Sequence, residues 1–286
     1  MGLIQHDLQT PSDSDYGDIG STSPYVDSGI GPRQYNYTAY GINAQGNGPV
    51  SDPSNTVEVF EFPAIKTDLV SWWTLNEASG TRADSHDDND LTDNNTVGSA
   101  AGKVGNAADL EASSSEYLSH ASNASLVTGD IDWTFACWIR AESLSSFPIV
   151  ASKGWGGDPP REWVLFCNTG ASNKLHFEVE DGDGLAMSVE STDSITTNTW
   201  YFVVVQHDAG ANEISVSINA GTPDTAAHST GVREGSADFV IGASPSQSLF
   251  WDGLIDEVGF WKRILSADEI EWLYNDGNGR GYSELP

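Results

Sequence analysis

Residues 250–274 read FWDGLIDEVGFWKRILSADEIEWLY, an apolar strand that runs through a basic link into a capped helix. The strand signal covers residues 256–263 (DEVGFWKR). Ser266 and Glu269 then make a capping box, in which the Ser266 hydroxyl takes an orphan N–H of the first turn while the Glu269 carboxylate reaches back. Ile270, Leu273 and Tyr274 form an apolar stripe, and Gly277 is placed to end the helix. A single short helix after many strands predicts a lid packed on the edge of a β-sandwich.

Upstream, strand signals recur at the spacing of a sandwich: LVSWWTL (69–75), WTFACWIR (133–140), PIVASK (148–153), WVLFCN (163–168), KLHFEVED (174–181), WYFVVVQHD (200–208) and EISVSIN (213–219). In the last of these Ile214, Val216 and Ile218 face one way and Ser215, Ser217 and Asn219 the other, the pattern of a half-buried strand. The run YFVVV is apolar on both faces and reads as a central strand. Before residue 63 two further strands are expected, YNYTAYGIN (35–43) and TVEVFEF (56–62), with a short linker, PAIKTD, at 63–68.

Composition narrows the function classes. The chain has 286 residues, 42 acidic and 12 basic, for a net charge of −30. A field of that sign repels phosphate backbones and argues against a nucleic-acid partner. Only Cys137 and Cys167 occur, so a disulfide framework is excluded, and one bridge or two buried thiols remain open. No apolar run approaches the ~18 residues of a membrane span. The first residues, MGLIQHDLQTPSDSD, lack a basic start and an apolar core and do not read as a signal peptide. The expected setting is therefore a virion protein, a piece of a larger exported protein, or a processed product.

From Leu69 to Tyr282 the ordered set LVSWWTLNEASGTRADSHDDNDLT, KVGNAADLEASSSEYLSH, WTFACWIRAE, TNTWYFVVVQHD and FWDGLIDEVGFWKRILSADEIEWLY resembles the laminin G-like, concanavalin A-like jelly-roll domains. The resemblance implies an all-β jelly-roll sandwich over 69–282 with a short C-terminal helix. Residues 1–62, through YVDSGIGPRQYNYTAYGINAQGNGPVSDPSNTVEV, resemble the second half of a fibronectin type III domain. Its early strands are expected to be missing, because a whole domain needs about 90–100 residues. The fold hosts lectins, adhesins, enzymes and spacers, so it implies no single activity.

Three site readings follow. The loop Asp84-Ser85-His86-Asp87-Asp88-Asn89-Asp90 concentrates the oxygen ligands that Ca²⁺ takes. By resemblance, Asp84 and Asn89 would join Asp256 around a structural calcium ion, against the plainer reading of a solvated acidic loop. For glycan stacking, the Gly-flanked Trp155 is the leading candidate, with Phe250 and Trp251 next; loop anchoring is the competing role for Trp251. A glycosidase would need two opposed carboxylates. Glu178 and Glu180 share a strand face but do not reproduce the glucanase motif of the fold, and they read as solvent-side residues before a DGDG turn. No HExxH, GxSxG, P-loop or GxGxxG is present.

The sequence thus points to a non-catalytic, extracellular or virion-surface module that binds a glycan or a surface protein. The competing class is a purely structural decoration or appendage protein, with capsid proteins or a second copy engaged through residues 1–62.

Overall fold

The computed structural model describes residues 65–286 except 146, 155–161, 169, 171, 229–230, 245 and 247, and before them the backbone of residues 2–8, 34–43, 46–47 and 57–58. The chain divides into two compact units, Met1–Pro63 and Ala64–Pro286.

In the first unit, β1 (Gly2–Leu8) lies antiparallel to β2 (Gln34–Asn43), with Gly2 opposite Gly41 and Leu8 opposite Tyr35. Short strands β3 (Gly46–Asn47) and β4 (Val57–Glu58) also pair with β2. The strand at the start of the chain was not foreseen, because its partner lies 26 residues further on and no hairpin signal joins them.

The second unit carries β5 (Leu69–Trp73), β6 (Thr92–Asn94), β7 (Gly98–Ala101), β8 (Asn106–Leu110), β9 (Tyr117–His120), β10 (Trp133–Ala141), β11 (Ile149–Lys153), β12 (Trp163–Asn168), β13 (Lys174–Glu180) and β14 (Ala186–Ser194). These are followed by β15 (Tyr201–Asp208), β16 (Glu213–Ile218), β17 (Asp224–Ala227), β18 (Phe239–Ile241), β19 (Ala243–Ser244), β20 (Leu249–Phe250), β21 (Gly253–Trp261) and α1 (Ala267–Tyr274). One sheet has the order β17-β16-β15-β10-β21-β8-β7, with β5 also on β21; the facing sheet runs β14-β13-β12-β11-β18-β9-β6. Every pairing is antiparallel, as an all-β jelly-roll sandwich requires. YFVVV sits inside the first sheet, between β10 and β16.

The core between the sheets is aromatic. Trp73, Trp133, Trp163, Trp251, Phe135, Phe177, Phe239 and Phe260 are all buried in it. Tilted and edge-on ring pairs, such as Trp133–Trp163 at 5.3 Å and Trp133–Phe177 at 5.6 Å, fill the space at the separations aromatic quadrupoles favour. Both cysteines are buried and unbridged, and burial pushes their thiols well above the ordinary range.

A second cluster lies outside the first sheet, where α1 covers Trp72, Trp138, Phe202 and Trp261. The capping box forms as expected, but Asn275 ends the helix: it turns left-handed at φ 51° and its N–H meets the Glu271 carbonyl. Asparagine tolerates this conformation, so Gly277 is left to the following turn. Glu269 also takes a two-pronged hydrogen bond from Arg263, at 2.8 and 2.9 Å. Ser266→Ala should therefore cost about 1 kcal/mol, read as a melting shift of roughly 2–4 °C. Residues 65–68, read as linker, form a turn whose Ile65 is buried and accepts a hydrogen bond from Trp261 Nε1 at 2.7 Å.

Candidate ligand-binding face

The alternation of β12, β13 and β14 sorts their side chains. Leu175, Phe177 and Val179 point into the core with Leu165, Cys167 and Val189. The intervening residues fall on the outer face. Register then gathers them: His176 stands between Phe166 and Glu190, Glu178 between Val164 and Ser188, and Lys174 beside Asn168.

The His176 ring lies flat on Phe166, with centres 4.8 Å apart. Its Nε2 is 3.2 Å from Glu178 Oε1 and its Nδ1 is 3.8 Å from Glu190 Oε2, and neither nitrogen reaches hydrogen-bonding geometry. Lys174 Nζ is 3.6 Å from Glu190 Oε1, and Asn168 Nδ2 donates to Glu190 Oε2 at 3.3 Å. Phe147 meets Phe166 edge-on at 6.3 Å. It is 42% exposed and held at φ 55°, a conformation costly for a bulky side chain and one that clusters at ligand clamps. Buried Ile149 and Val164, with Leu249 packed on them, complete an apolar floor. Aromatic edges beside charged and amide groups make a surface suited to sugar faces and hydroxyls. The sequence reading missed Phe147, whose only signal is its place before Pro148.

The stacking candidates separate. Trp155 lies outside the described residues. Trp251, whose backbone N–H donates to the Gly242 carbonyl at 2.8 Å, is fully buried in the inter-sheet core and cannot stack on a ligand. Phe250 is half-buried beside Tyr117, at 6.3 Å. It directly follows Leu249 of the apolar floor. Lys153 and Glu162 are fully buried and paired, the Lys153 ammonium also donates to the Ala237 carbonyl at 3.0 Å, and Thr128 Oγ1 donates to Glu162 at 2.7 Å.

The proposed calcium ligands do not fit a calcium cage. Asp84 Oδ1 accepts the Trp72 and His86 N–H groups at 3.0 and 2.9 Å, and Oδ2 accepts that of Asn89 at 3.2 Å. The Asn89 side-chain oxygen is taken by Asn123 Nδ2 and Ser125 Oγ. Asp256 accepts N–H groups of Lys103, Val104 and Glu257 at 2.7–2.9 Å. All three act as struts between loops. Adding excess Ca²⁺ to chelator-treated protein should therefore leave the melting curve unchanged at constant ionic strength; a large rise would restore the ion.

Asp256 borders a bulge and Glu257 lies within it. Asp256 pairs with Trp138 and Gly259 with Ala136, so β21 spends one more residue than β10, and Glu257 sits at φ 45°. Trp72 Nε1 donates to Glu257. Burial is the main cause that pushes Asp256 up to about 7 and Glu257 up to about 9, with Asp256 adding to the latter.

Glu180, expected at the surface, is packed against Arg233 in an ion pair. The DGDG stretch does form the β13–β14 turn, where Asp181 Oδ1 accepts N–H groups of Asp183 and Leu185. Among the described residues, Asp109, Glu111 and Glu142 form a carboxylate cluster at the other sheet, open to solvent at its two glutamates.

A family model described as the concanavalin A-like lectin/glucanases superfamily matches residues 112–271, more than half of the chain. No curated protein sequence matches. Among solved structures, the binding domain of Paraclostridial Mosquitocidal Protein 1 superposes with a TM-score of 0.60 at 14% identity, over 73% of this chain and 52% of that one. Domain 4 of an extracellular arabinanase from Geobacillus stearothermophilus, in complex with arabinotriose, gives 0.52 at 16%, over 71% and 97%. A Trypanosoma rangeli sialidase gives 0.55 at 15%, over 76% and 34%. The chain spans about half of the toxin domain and a third of the sialidase.

Proposed function

Because the chain belongs to the concanavalin A-like lectin/glucanases superfamily, we propose that it is a non-catalytic binding module that holds a glycan, free or on a surface protein, on the outer face of the β11–β14 sheet. The observation that carries this reading is the placement of His176. Its ring fills the gap between the Glu178 and Glu190 carboxylates. A glycosidase needs that gap for the glycosidic oxygen and the anomeric carbon. Glu190, with Lys174 and Asn168 beside it, offers polar partners for sugar hydroxyls, and Phe147 offers a ring edge at the rim. The arabinotriose complex of a structural neighbour supports the compatibility of such a sandwich with sugar binding. On this reading the strongly acidic module is displayed outside a cell or on a virion, with residues 1–62 as a fibronectin type III-like spacer or docking segment.

A glycan array followed by calorimetry tests it. Phe147→Ala and Glu190→Gln should each weaken the best array hit at least tenfold, about 1.4 kcal/mol, while the melting temperature stays within a degree or two. Undiminished affinity in both variants would place the site elsewhere, and release of reducing sugar from the hit would restore the enzyme.

A further inference from the structure

The end of the sandwich that carries Asp130 and His228 holds two imidazoles that the binding face does not use. His207 projects inward from β15 and is fully buried, and His228 is 8% exposed. Their Nε2 atoms are 3.1 Å apart, and the ring centres 5.0 Å. The His207 Nδ1 hydrogen bond to the Ile131 carbonyl, at 2.7 Å, fixes the tautomer and turns the Nε2 lone pair toward His228. Asp130 Oδ1 stands 3.8 Å from the same Nε2. Val232 N–H donates to that oxygen at 3.3 Å, and a Cβ on Gly231 would meet Oδ2 at 2.5 Å. Glycine is required there to let the backbone lie against the acid.

We infer that His207, His228 and Asp130 form a binding site for a divalent transition ion of the zinc class. Two imidazoles on one tetrahedral Zn²⁺, at about 2.0–2.1 Å per bond, have nitrogens about 3.3 Å and ring centres about 5.1 Å apart. The observed pair needs to open by only a few tenths of an ångström, with the ion replacing the proton between the rings. A carbonyl bonded to the far ring nitrogen is the usual outer support of a ligating histidine. Desolvation by burial lowers the His207 pKa and so favours the neutral, ligating imidazole. Asp130 must swing inward by one rotamer to become the third ligand, and its half-exposed side chain provides the way in; water completes the tetrahedron. Imidazole nitrogens select zinc, cobalt, nickel or copper over calcium and magnesium. Occupied, the site would tie Asp130 and His228 to the inner face of β15.

The test uses the whole chain at neutral pH. Co²⁺ should give the intense visible absorption of a tetrahedral complex at one equivalent, and Zn²⁺ should abolish it. Zn²⁺ at about a hundredfold over its Kd should raise the melting temperature by roughly 5–10 °C, while Ca²⁺ and Mg²⁺ at the same concentration do neither. His228→Gln should lose the band, and Asp130→Asn should weaken Co²⁺ at least tenfold. A pale octahedral spectrum would overturn the site. So would a band that survives in His228→Gln, which would mean ions collected by the acidic surface.

Discussion

Raising the pH from about 5.5 to about 9 should lower the melting temperature of the sandwich by roughly 10 °C. The cause is the Asp256–Glu257 bulge. Both carboxyls are held above their unfolded values, to about 7 and about 9, first by burial and for Glu257 also by Asp256 and Glu284. A raised acid makes the native state bind more protons than the unfolded chain, so its contribution is complete below the unfolded pKa near 4 and is lost as pH climbs through the folded one. The loss therefore spans the neutral and mildly alkaline range. Glu257→Gln keeps an acceptor for Trp72 Nε1 and removes the later titration. It should leave the melting temperature at pH 5.5 nearly unchanged and at least halve the fall toward pH 9. All ten tryptophans lie after residue 63, so their fluorescence follows this unit alone. A flat profile, or one as steep in the variant, would show that other groups control alkaline stability. On the acid side the signs reverse: His207, lowered by burial, and Glu269, lowered on balance by Arg263 and Ser266 although burial opposes it, withdraw stability as pH falls.

Lys153→Met should cost about 3–5 kcal/mol, because it strands the fully buried Glu162 carboxylate without its cation. Among the described residues, Glu162 would keep Thr128, which donates through Oγ1 and N–H at 2.7 and 3.3 Å. Adding Glu162→Gln removes the charge but retains an oxygen for Thr128, so the double variant should regain more than half of the loss. Urea midpoints at constant slope measure this. A single variant that costs less than 1 kcal/mol, or a double variant no better than the single, would show that the pair does not hold the β11–β12 base.

The strands, their inward residues and the capping box were legible because period-2 alternation and cap chemistry are local. EISVSIN reads as it folds, with Ile214 and Val216 buried. The site was less legible. His176, Glu178 and Glu190 become neighbours only through the β13–β14 register, and Phe166 joins them from a third strand. Trp251 and Phe250 are adjacent in sequence yet on opposite sides of a chain entering the core, a distinction composition cannot make. The acidic loop suggested cation ligands because Asp84 and Asn89 are oxygen-rich; in the fold those oxygens are consumed by N–H groups.

The placement of β21 has a consequence for how the molecule is made. This strand lies at the centre of its sheet, against β10 on one side and both β8 and β5 on the other. Its neighbours are synthesised first and then wait with the β21-facing edges of β5, β8 and β10 unpaired until residue 261 has left the ribosome. The last long strand is thus the keystone of its own sheet, whereas every strand of the facing sheet precedes it. Such nonlocal closure is slow and exposes apolar edges, so the growing polypeptide should depend on holding chaperones up to Trp261, and chains released before Gly253 should be degraded rather than accumulate.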